Sequence, residues 1–171
     1  MDPFEQLIAE NNRYVREGEH VELGVRPSRH IAVVTCMDAR IDTFAAYGLQ
    51  LGECHVIRNA GGRVTDDVLR SLTLSTHVLG VRAVLVATHT DCGVRDPEGT
   101  IVERLESVLG HPAIPRDWGT FSDPAEAVRA DCDLLRSWPD RPEGLTVGGF
   151  VFDVTDGRLD QVVAPFEAPA P

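Results

Sequence analysis

Two stretches of the sequence place thiols and other ionisable groups directly after apolar runs. Residues 36–40 (CMDAR) bring a thiol, a carboxylate and a guanidinium together, and residues 89–93 (HTDCG) add an imidazole and a second thiol. Two thiolates and one imidazole suit zinc, which in catalytic sites commonly has three protein ligands and one open position. Cys36, His89 and Cys92 are therefore candidate ligands of a zinc ion.

The two stretches can form one site only if neighbouring elements bring them together. Residues 30–35 and 82–88 are short runs rich in β-branched residues, which predicts a buried strand before each stretch. Open α/β sheets bind ligands in the crevice beyond the carboxyl ends of their strands. If the two strands are neighbours in one sheet, their ends meet in this crevice and form one site.

Several of the histidine, cysteine and glycine residues also have a simpler structural interpretation. An isolated H-x-x-C pattern more often marks a packed histidine and a buried thiol, and the second cysteine at a strand end is what favours a metal site. Cys54 at a strand start and Cys132 on an apolar helix face are expected to be buried as small apolar residues. The chain contains no C-x-x-C redox pair, and Gly61 and Gly62 match neither a dinucleotide nor a P-loop fingerprint.

Composition narrows the class of protein. The chain has 171 residues, enough for one domain with a full core, and 16 basic against 27 acidic residues give a formal charge of -11. This charge disfavours binding to nucleic acid or to an anionic membrane. The N-terminus lacks the pattern of a signal peptide, and no segment has the length of a membrane span. We expect a cytoplasmic protein, in which four cysteines favour metal binding or packing over disulfides.

Alternating strands and helices predict an α/β fold, mainly parallel, with an antiparallel hairpin at the C-terminus. Asp2 and Pro3 start an N-terminal helix that Gly18 ends, and Asp156 with Gly157 forms the turn of the hairpin. The predicted single domain, residues 1–171, consists of this helix and an arm at 1–29, an α/β core at 30–163 and a frayed tail at 164–171. The core is predicted to have strands at 30–35, 54–58, 82–88, 146–154 and 159–163, and helices at 41–49, 65–79, 101–109 and 122–138.

Taken together and in this order, residues 36–40, residues 58–62 (RNAGG) and residues 89–93 resemble the β-class carbonic anhydrases, whose signature is C-x-D-x-R followed by H-x-x-C. The motifs cover residues 31–94, and their combination is specific although each motif alone is not. The resemblance implies a mainly parallel four-stranded sheet flanked by helices, with a fifth, antiparallel edge strand at the C-terminus. It also implies a homodimer or higher homo-oligomer in which the N-terminal helix embraces the partner.

The resemblance further implies a role for each site residue. Zinc is held by Cys36, His89 and Cys92, while Asp38 and Arg40 form a pair beside the open position of the metal. If that pair opens, Asp38 becomes a fourth ligand and closes the site. A structural alternative is that the pair only braces its loop. The residues expected to line the substrate pocket are Asn59, Ala60, Gly61 and Gly93.

The implied reaction is the reversible hydration of carbon dioxide to bicarbonate and a proton by zinc-activated water. Met37 and Ala39 stand where many family members carry serine, so we expect a more apolar pocket beside the metal. Val33 replaces the tryptophan with which an allosteric group locks bicarbonate, so we expect an open site at neutral pH, although Arg58 could still meet an anion. Two alternatives stay open, namely hydrolysis of carbonyl sulfide or carbon disulfide on the same site, and a non-catalytic protein that binds zinc or bicarbonate.

Overall fold

A computed structural model describes residues 2–18 and 22–168 of the chain. Part of the predicted arm (19–21) and of the predicted tail (169–171) lies outside the described residues. The elements in chain order are α1 (Pro3–Glu17), β1 (Ile31–Cys36), α2 (Thr43–Tyr47), β2 (Cys54–Asn59), a 3-10 turn (Ala60–Gly62), α3 (Asp66–His77), β3 (Ala83–His89), α4 (Ile101–Leu109), α5 (Pro124–Ser137), β4 (Thr146–Phe152) and β5 (Leu159–Glu167).

The five strands form one sheet in the order β2-β1-β3-β4-β5. β1 is parallel to both β2 and β3, β3 is parallel to β4, and β5 runs antiparallel to β4 at the edge. This arrangement confirms the predicted α/β fold with four parallel strands and an antiparallel edge strand. Because β1 and β3 are direct neighbours, the carboxyl ends that carry the two candidate stretches lie side by side.

Helices α3 and α5 cover one face of this sheet. Their buried residues Leu72, Val128 and Leu135 pack against strand residues such as Val34 and Val86. Helix α5 can approach β4 closely because Gly149 of β4 has no side chain. A β-carbon at this position would lie 2.5 Å from Cγ1 of Val128 and 2.9 Å from Sγ of Cys132, both on α5. This packing forms the main core of the chain.

The two cysteines outside the candidate site differ in their burial. Cys132 is buried in the core, as expected for a small apolar residue, and this burial raises the pKa of its thiol to about 12. Cys54, at the start of edge strand β2, is only partly buried, because one side of an edge strand has no neighbouring strand.

The prediction of a frayed tail from residue 164 is wrong for residues 164–168. Strand β5 continues to Glu167, where Phe166 pairs with Val147, and the amide of Ala168 donates to the Leu145 carbonyl at 2.8 Å. The prediction rested on the Pro- and Ala-rich composition of residues 164–171. Pro165 falls, however, at a register shift between β4 and β5, which is where a strand tolerates proline.

Two apolar surfaces of the described chain are uncovered. None of the residues of α1, all of which are described, is buried, and the exposed apolar residues of this helix are Phe4, Leu7, Ile8 and Val15. The face of the sheet opposite α3 and α5 carries an apolar groove that includes Ile31, Leu85, Phe150 and Pro165. None of the described helices combines the length and the apolar character needed to cross a membrane.

Candidate metal centre

The structure brings Cys36, His89 and Cys92 together at the carboxyl edge of the sheet. Cys36 is the last residue of β1, His89 is the last residue of β3, and Cys92 lies in the loop that follows. All three residues are buried, and their ligand atoms lie within 4.8 Å of one another. The two Sγ atoms are 3.9 Å apart. Two adjacent parallel strands thus bring two thiols and an imidazole together at their carboxyl ends, as the sequence predicted.

The imidazole of His89 is oriented as a metal ligand would be. Its Nδ1 is 2.8 Å from the Thr90 carbonyl oxygen, which can only accept, so Nδ1 carries the proton and Nε2 has a free lone pair. Nε2 is buried and has no hydrogen-bond partner among the described residues. An unsatisfied buried nitrogen costs free energy, and a cation held between Nε2 and the two sulfur atoms would remove this cost. The donor set therefore fits zinc.

The contact between the two thiols shifts their pKa values in opposite directions. The hydrogen bond from Cys92 lowers the pKa of Cys36 to about 4 although burial opposes this. The same contact with Cys36, together with burial, raises the pKa of Cys92. Burial lowers the pKa of His89, but the interaction of the imidazole with the nearby Cys36 sulfur outweighs it, and the net shift of the pKa is upward. Cation binding would release the second thiol proton, since thiolates are the ligands of zinc.

Asp38 and Arg40 form a two-pronged ion pair beside this cluster. Nε of Arg40 donates to Oδ1 of Asp38 at 3.0 Å and Nη2 donates to Oδ2 at 2.7 Å, while the Arg40 amide also donates to Oδ1. These hydrogen bonds hold the pKa of Asp38 well below its usual range, so the carboxylate is ionised. Oδ2 of Asp38 lies only 3.8 Å from Nε2 of His89, so the carboxylate is close to the space where a metal ion would sit.

A second carboxylate, Asp91, was missed by the sequence analysis. Nη1 of Arg40 donates to Oδ2 of Asp91 at 2.8 Å, and Nη2 donates to the Asp91 carbonyl oxygen at 2.9 Å. Asp91 has a φ of 51°, a conformation that aspartate adopts more readily than most residues. The position of Asp91 between two candidate metal ligands was a signal in the sequence, but its partner Arg40 lies 51 positions away in the chain. Arg40 therefore ties the Cys36 loop to the loop of His89 and Cys92.

Arg58, which the sequence left as a possible contact for an anion, is hydrogen-bonded to the backbone of the site. Arg58 donates from Nε to the Cys36 carbonyl at 2.9 Å and from Nη2 to the Asp38 carbonyl at 2.6 Å. These contacts fix the direction in which the chain leaves β1, just where the first ligand and the dyad lie. Arg58 thus supports the loop that carries Cys36 and Asp38.

The glycine turn after β2 lies directly against the cluster. Asn59 is paired with Cys36 in the sheet, and its side-chain amide closes the turn by hydrogen bonds to both the N–H and the carbonyl of Arg63. Ala60 is half-buried in the turn, and buried Gly61 has a φ of 82° beside Val94 and Phe121.

The remaining residue predicted to line the pocket is Gly93. Gly93 is exposed directly after the ligand Cys92, and it borders a groove formed with α4. The residues that cluster with the two thiols are mainly apolar, namely Ile41, Phe121, Ala127 and Phe152. The site thus has a charged side formed by Asp38, Arg40 and Asp91, and an apolar surrounding.

Comparison with known proteins gives a consistent set of relatives. A model of the carbonic anhydrase family matches residues 31–111. The β-carbonic anhydrase 1 of Mycobacterium tuberculosis is 39% identical over 164 residues, which are 95% of this chain and 99% of the relative. The crystal structure of a carbonic anhydrase from Streptococcus mutans is 41% identical, has a TM-score of 0.86, and is matched over 95% of this chain and 98% of that one. A carbon disulfide hydrolase from an Acidianus strain is 31% identical, covering 80% of this chain and 78% of its own length.

Proposed function

Because the chain belongs to the β-carbonic anhydrase family, we propose that it catalyses the reversible hydration of carbon dioxide to bicarbonate and a proton, with zinc held by Cys36, His89 and Cys92. The observation that carries this proposal is the buried cluster of two cysteines and one histidine. Nε2 of His89 has no hydrogen-bond partner among the described residues, and the Asp38–Arg40 pair lies beside the cluster. When bound, zinc supplies the Lewis acidity that makes water a nucleophile near neutral pH.

The role of Asp38 follows from its charge. An ionised carboxylate can only accept hydrogen bonds, so Asp38 receives the O–H of the nucleophilic water and leaves an oxygen lone pair directed at the substrate carbon. Arg40 fixes the carboxylate plane with two parallel hydrogen bonds, at 3.0 and 2.7 Å. In this account Asp38 and Arg40 are the catalytic dyad, and the two-pronged geometry is what keeps the orientation constant between turnovers.

The same pair decides whether the site is open. Since Oδ2 of Asp38 is 3.8 Å from Nε2 of His89, a small rotation would bring the carboxylate to the metal as a fourth ligand. The hydrogen bonds to Arg40 oppose that rotation. We therefore assign to this dyad both the orientation of the nucleophile and the exclusion of Asp38 from the metal. Pairing of Asp38 with Arg40 is the open state that we propose.

The substrate pocket is assigned to Asn59, Ala60, Gly61 and Gly93. Their support is positional: the turn of residues 59–61 borders β1 at Cys36, and Gly93 follows Cys92. Carbon dioxide is linear and apolar, and the side chains of Val94 and Phe121 beside Gly61 offer it no competing hydrogen bonds.

Replacement of Asp38 tests this function. In Asp38→Ala the zinc content should stay at one per chain, because the three ligands are intact, while carbon dioxide hydration should fall by at least about tenfold. Stopped-flow hydration assays with metal analysis measure both quantities. The control is Asp67→Ala, which removes an exposed carboxylate that is paired with Arg70. It should leave the hydration rate unchanged. Full turnover in Asp38→Ala would refute the catalytic role.

A sulfur-containing substrate is the second candidate. One relative of this chain, at 31% identity, is a carbon disulfide hydrolase. In addition, the side chain of Met37, which directly follows Cys36 and is 63% exposed, adds an apolar group near the site. Carbonyl sulfide and carbon disulfide are linear like carbon dioxide but are more apolar. Turnover of the three substrates, measured on one preparation with known zinc content, decides between them, and carbon dioxide should give the highest kcat/KM.

The assembly that we propose is a homodimer in which α1 of each copy packs on its partner. The support is the pair of uncovered apolar surfaces, one on α1 and the other on the open face of the sheet. Burial of apolar surface of this kind is the main driving force of association. A cytoplasmic location remains a prediction from the sequence.

A further inference from the structure

We propose that Asp91 is a positioning residue that anchors Arg40 and thereby keeps Asp38 away from the metal position. This inference rests on the proposed function and adds to it a residue outside the dyad and the ligand set. Asp91 would act only through Arg40, and its role would be to set the fraction of molecules in which the site is open.

The geometry links Arg40 to two loops at once. On one side the guanidinium holds Asp38 through Nε and Nη2, and on the other it holds Asp91 through Nη1 to the carboxylate and Nη2 to the backbone carbonyl. The side chain of Arg40 is 47% exposed, so packing alone does not fix its position. A long, half-exposed arginine has many rotamers, and a second ionic partner restricts them to the one that faces Asp38.

The anchor matters because Asp38 has a competing position nearby. With Oδ2 already 3.8 Å from Nε2 of His89, the carboxylate is poised between Arg40 and the metal space. If Arg40 were held by Asp38 alone, both side chains could move together and the pair could shift or separate. Since Asp91 holds the guanidinium independently, Arg40 stays in place when Asp38 moves and is ready to pair with it again. Removing Asp91 should therefore populate the closed state.

The backbone of Asp91 fits such a role. Its φ of 51° lies in the left-handed region, which is costly for most side chains and which directs both the carboxylate and the carbonyl of this residue to the same guanidinium. Glycine and asparagine adopt this conformation readily, so Asp91→Gly and Asp91→Asn remove the carboxylate without adding strain to the loop. Asparagine keeps an oxygen that can accept from Nη1, whereas glycine keeps only the backbone contact.

The test measures access to the metal rather than catalysis. Thiocyanate is titrated into the cobalt-substituted protein at one fixed pH, and binding is followed by the visible absorption of the metal. An anion can take only the open position, so its apparent Kd rises as the open fraction falls. We expect the apparent Kd to rise by about threefold or more in Asp91→Gly and by less in Asp91→Asn. Asp67→Asn, at an exposed carboxylate paired with Arg70, should leave the Kd unchanged.

The sign of this expected effect separates it from a simple change in charge. Loss of a carboxylate near the site makes the local potential more positive, which by itself would tighten thiocyanate binding. Weaker binding in Asp91→Gly is therefore specific for closing of the site. A variant series in the Arg40→Ala background adds a second criterion, because Asp91 can act only through Arg40. In that background Asp91→Gly should cause no further weakening.

Each outcome bears on one claim. Unchanged or tighter thiocyanate binding in Asp91→Gly overturns the inference, and so does equal weakening with and without Arg40, which would indicate a general effect on the loop. Weakening that requires Arg40 supports it. If the wild-type chain with full metal content binds no anion and hydrates no carbon dioxide, the proposed function itself fails, which is a different result from a normal wild type with a silent Asp91 variant.

Discussion

Gly62 is a residue on which the candidate site depends although it offers no functional group. Its φ is 68°, and a β-carbon there would lie 2.7 Å from both the Cys36 amide nitrogen and the Ala87 carbonyl oxygen. These are backbone atoms of β1 and β3, which cannot move aside without disturbing the strand ends. The turn after β2 can therefore contact the ligand-bearing strands only with glycine at this position.

Replacement of Gly62 by alanine should destabilise the chain strongly. We expect Gly62→Ala to lower the free energy of unfolding by at least about 2 kcal/mol, from the positive φ and the overlap with backbone atoms. Urea denaturation followed by circular dichroism measures this quantity. Gly93→Ala is the matched control, since no heavy atom of the described residues beyond its own neighbours lies within 4 Å of a β-carbon there, and it should change the free energy by less than about 0.5 kcal/mol. Equal stability of both variants would refute the packing argument.

At the scale of single residues, the sequence predicted those whose chemistry is visible in a motif. The convergence of Cys36, His89 and Cys92 was inferred from two strand ends, whereas the pairing of Asp38 with Arg40 was implied by the resemblance to the β-class carbonic anhydrases. Asp91 could not be predicted in the same way, because its contact depends on the reach of an arginine from another loop. The use of Arg58 to hold backbone carbonyls was likewise invisible, since hydrogen bonds to the backbone leave no pattern in residue types.

At the scale of elements, a buried ion pair connects α5 to the turn that borders the site. Arg63, just after the glycine turn, donates from Nε and Nη2 to both carboxylate oxygens of Asp131 on α5, and Nη1 donates to the Gly119 carbonyl. The Asp131 side chain is 4% exposed and that of Arg63 is 18% exposed. The same Arg63 backbone is held by Asn59, so α5, the turn and the end of β2 form one connected unit.

Breaking this pair should cost stability because it leaves a charge without its partner. We expect Asp131→Asn to lower the free energy of unfolding by about 2 to 4 kcal/mol. Asp133→Asn, on the same helix and paired with Arg136 at the surface, should lower it by less than about 0.5 kcal/mol. Chemical denaturation of the two variants side by side checks the difference. A cost at Asp131 as small as that at Asp133 would show that the buried pair does not hold these elements together.

The elements themselves were largely predictable, with one instructive failure. Apolar periodicity and capping residues such as Asp2 and Asp123 locate the helices, and β-branched runs locate the parallel strands. The continuation of β5 through Pro165 was not predicted, because local composition argues for a loose tail. It is the pairing of Phe166 with Val147 of the neighbouring strand β4 that orders this segment.

At the scale of the whole molecule, the uncovered apolar surfaces are the strongest feature. Phe4, Leu7 and Ile8 of α1 are 72%, 66% and 63% exposed, and an amphipathic helix with an unpaired apolar side is marginal in water by itself. The apolar groove that includes Ile31, Leu85, Phe150 and Pro165 is likewise open within the described chain. A second copy of the chain would cover both surfaces, which is the basis of the proposed dimer.

A charge on the apolar side of α1 should prevent assembly. Ile8→Glu is expected to shift the protein from dimer to monomer in sedimentation experiments, because a buried glutamate without a partner opposes association. Gln6→Glu adds the same charge to the opposite side of the same helix and should leave the dimer intact. Identical behaviour of the two variants would mean that α1 does not pack on a partner.

The most direct test of the proposed function is the rate of carbon dioxide hydration as a function of pH, measured on wild-type protein whose zinc content has been verified. We expect one zinc ion per chain and a rate that rises with pH through and above neutrality, because the nucleophile is the deprotonated form of water. A rate that stays at the uncatalysed background at every pH, with the full amount of zinc bound, would contradict it.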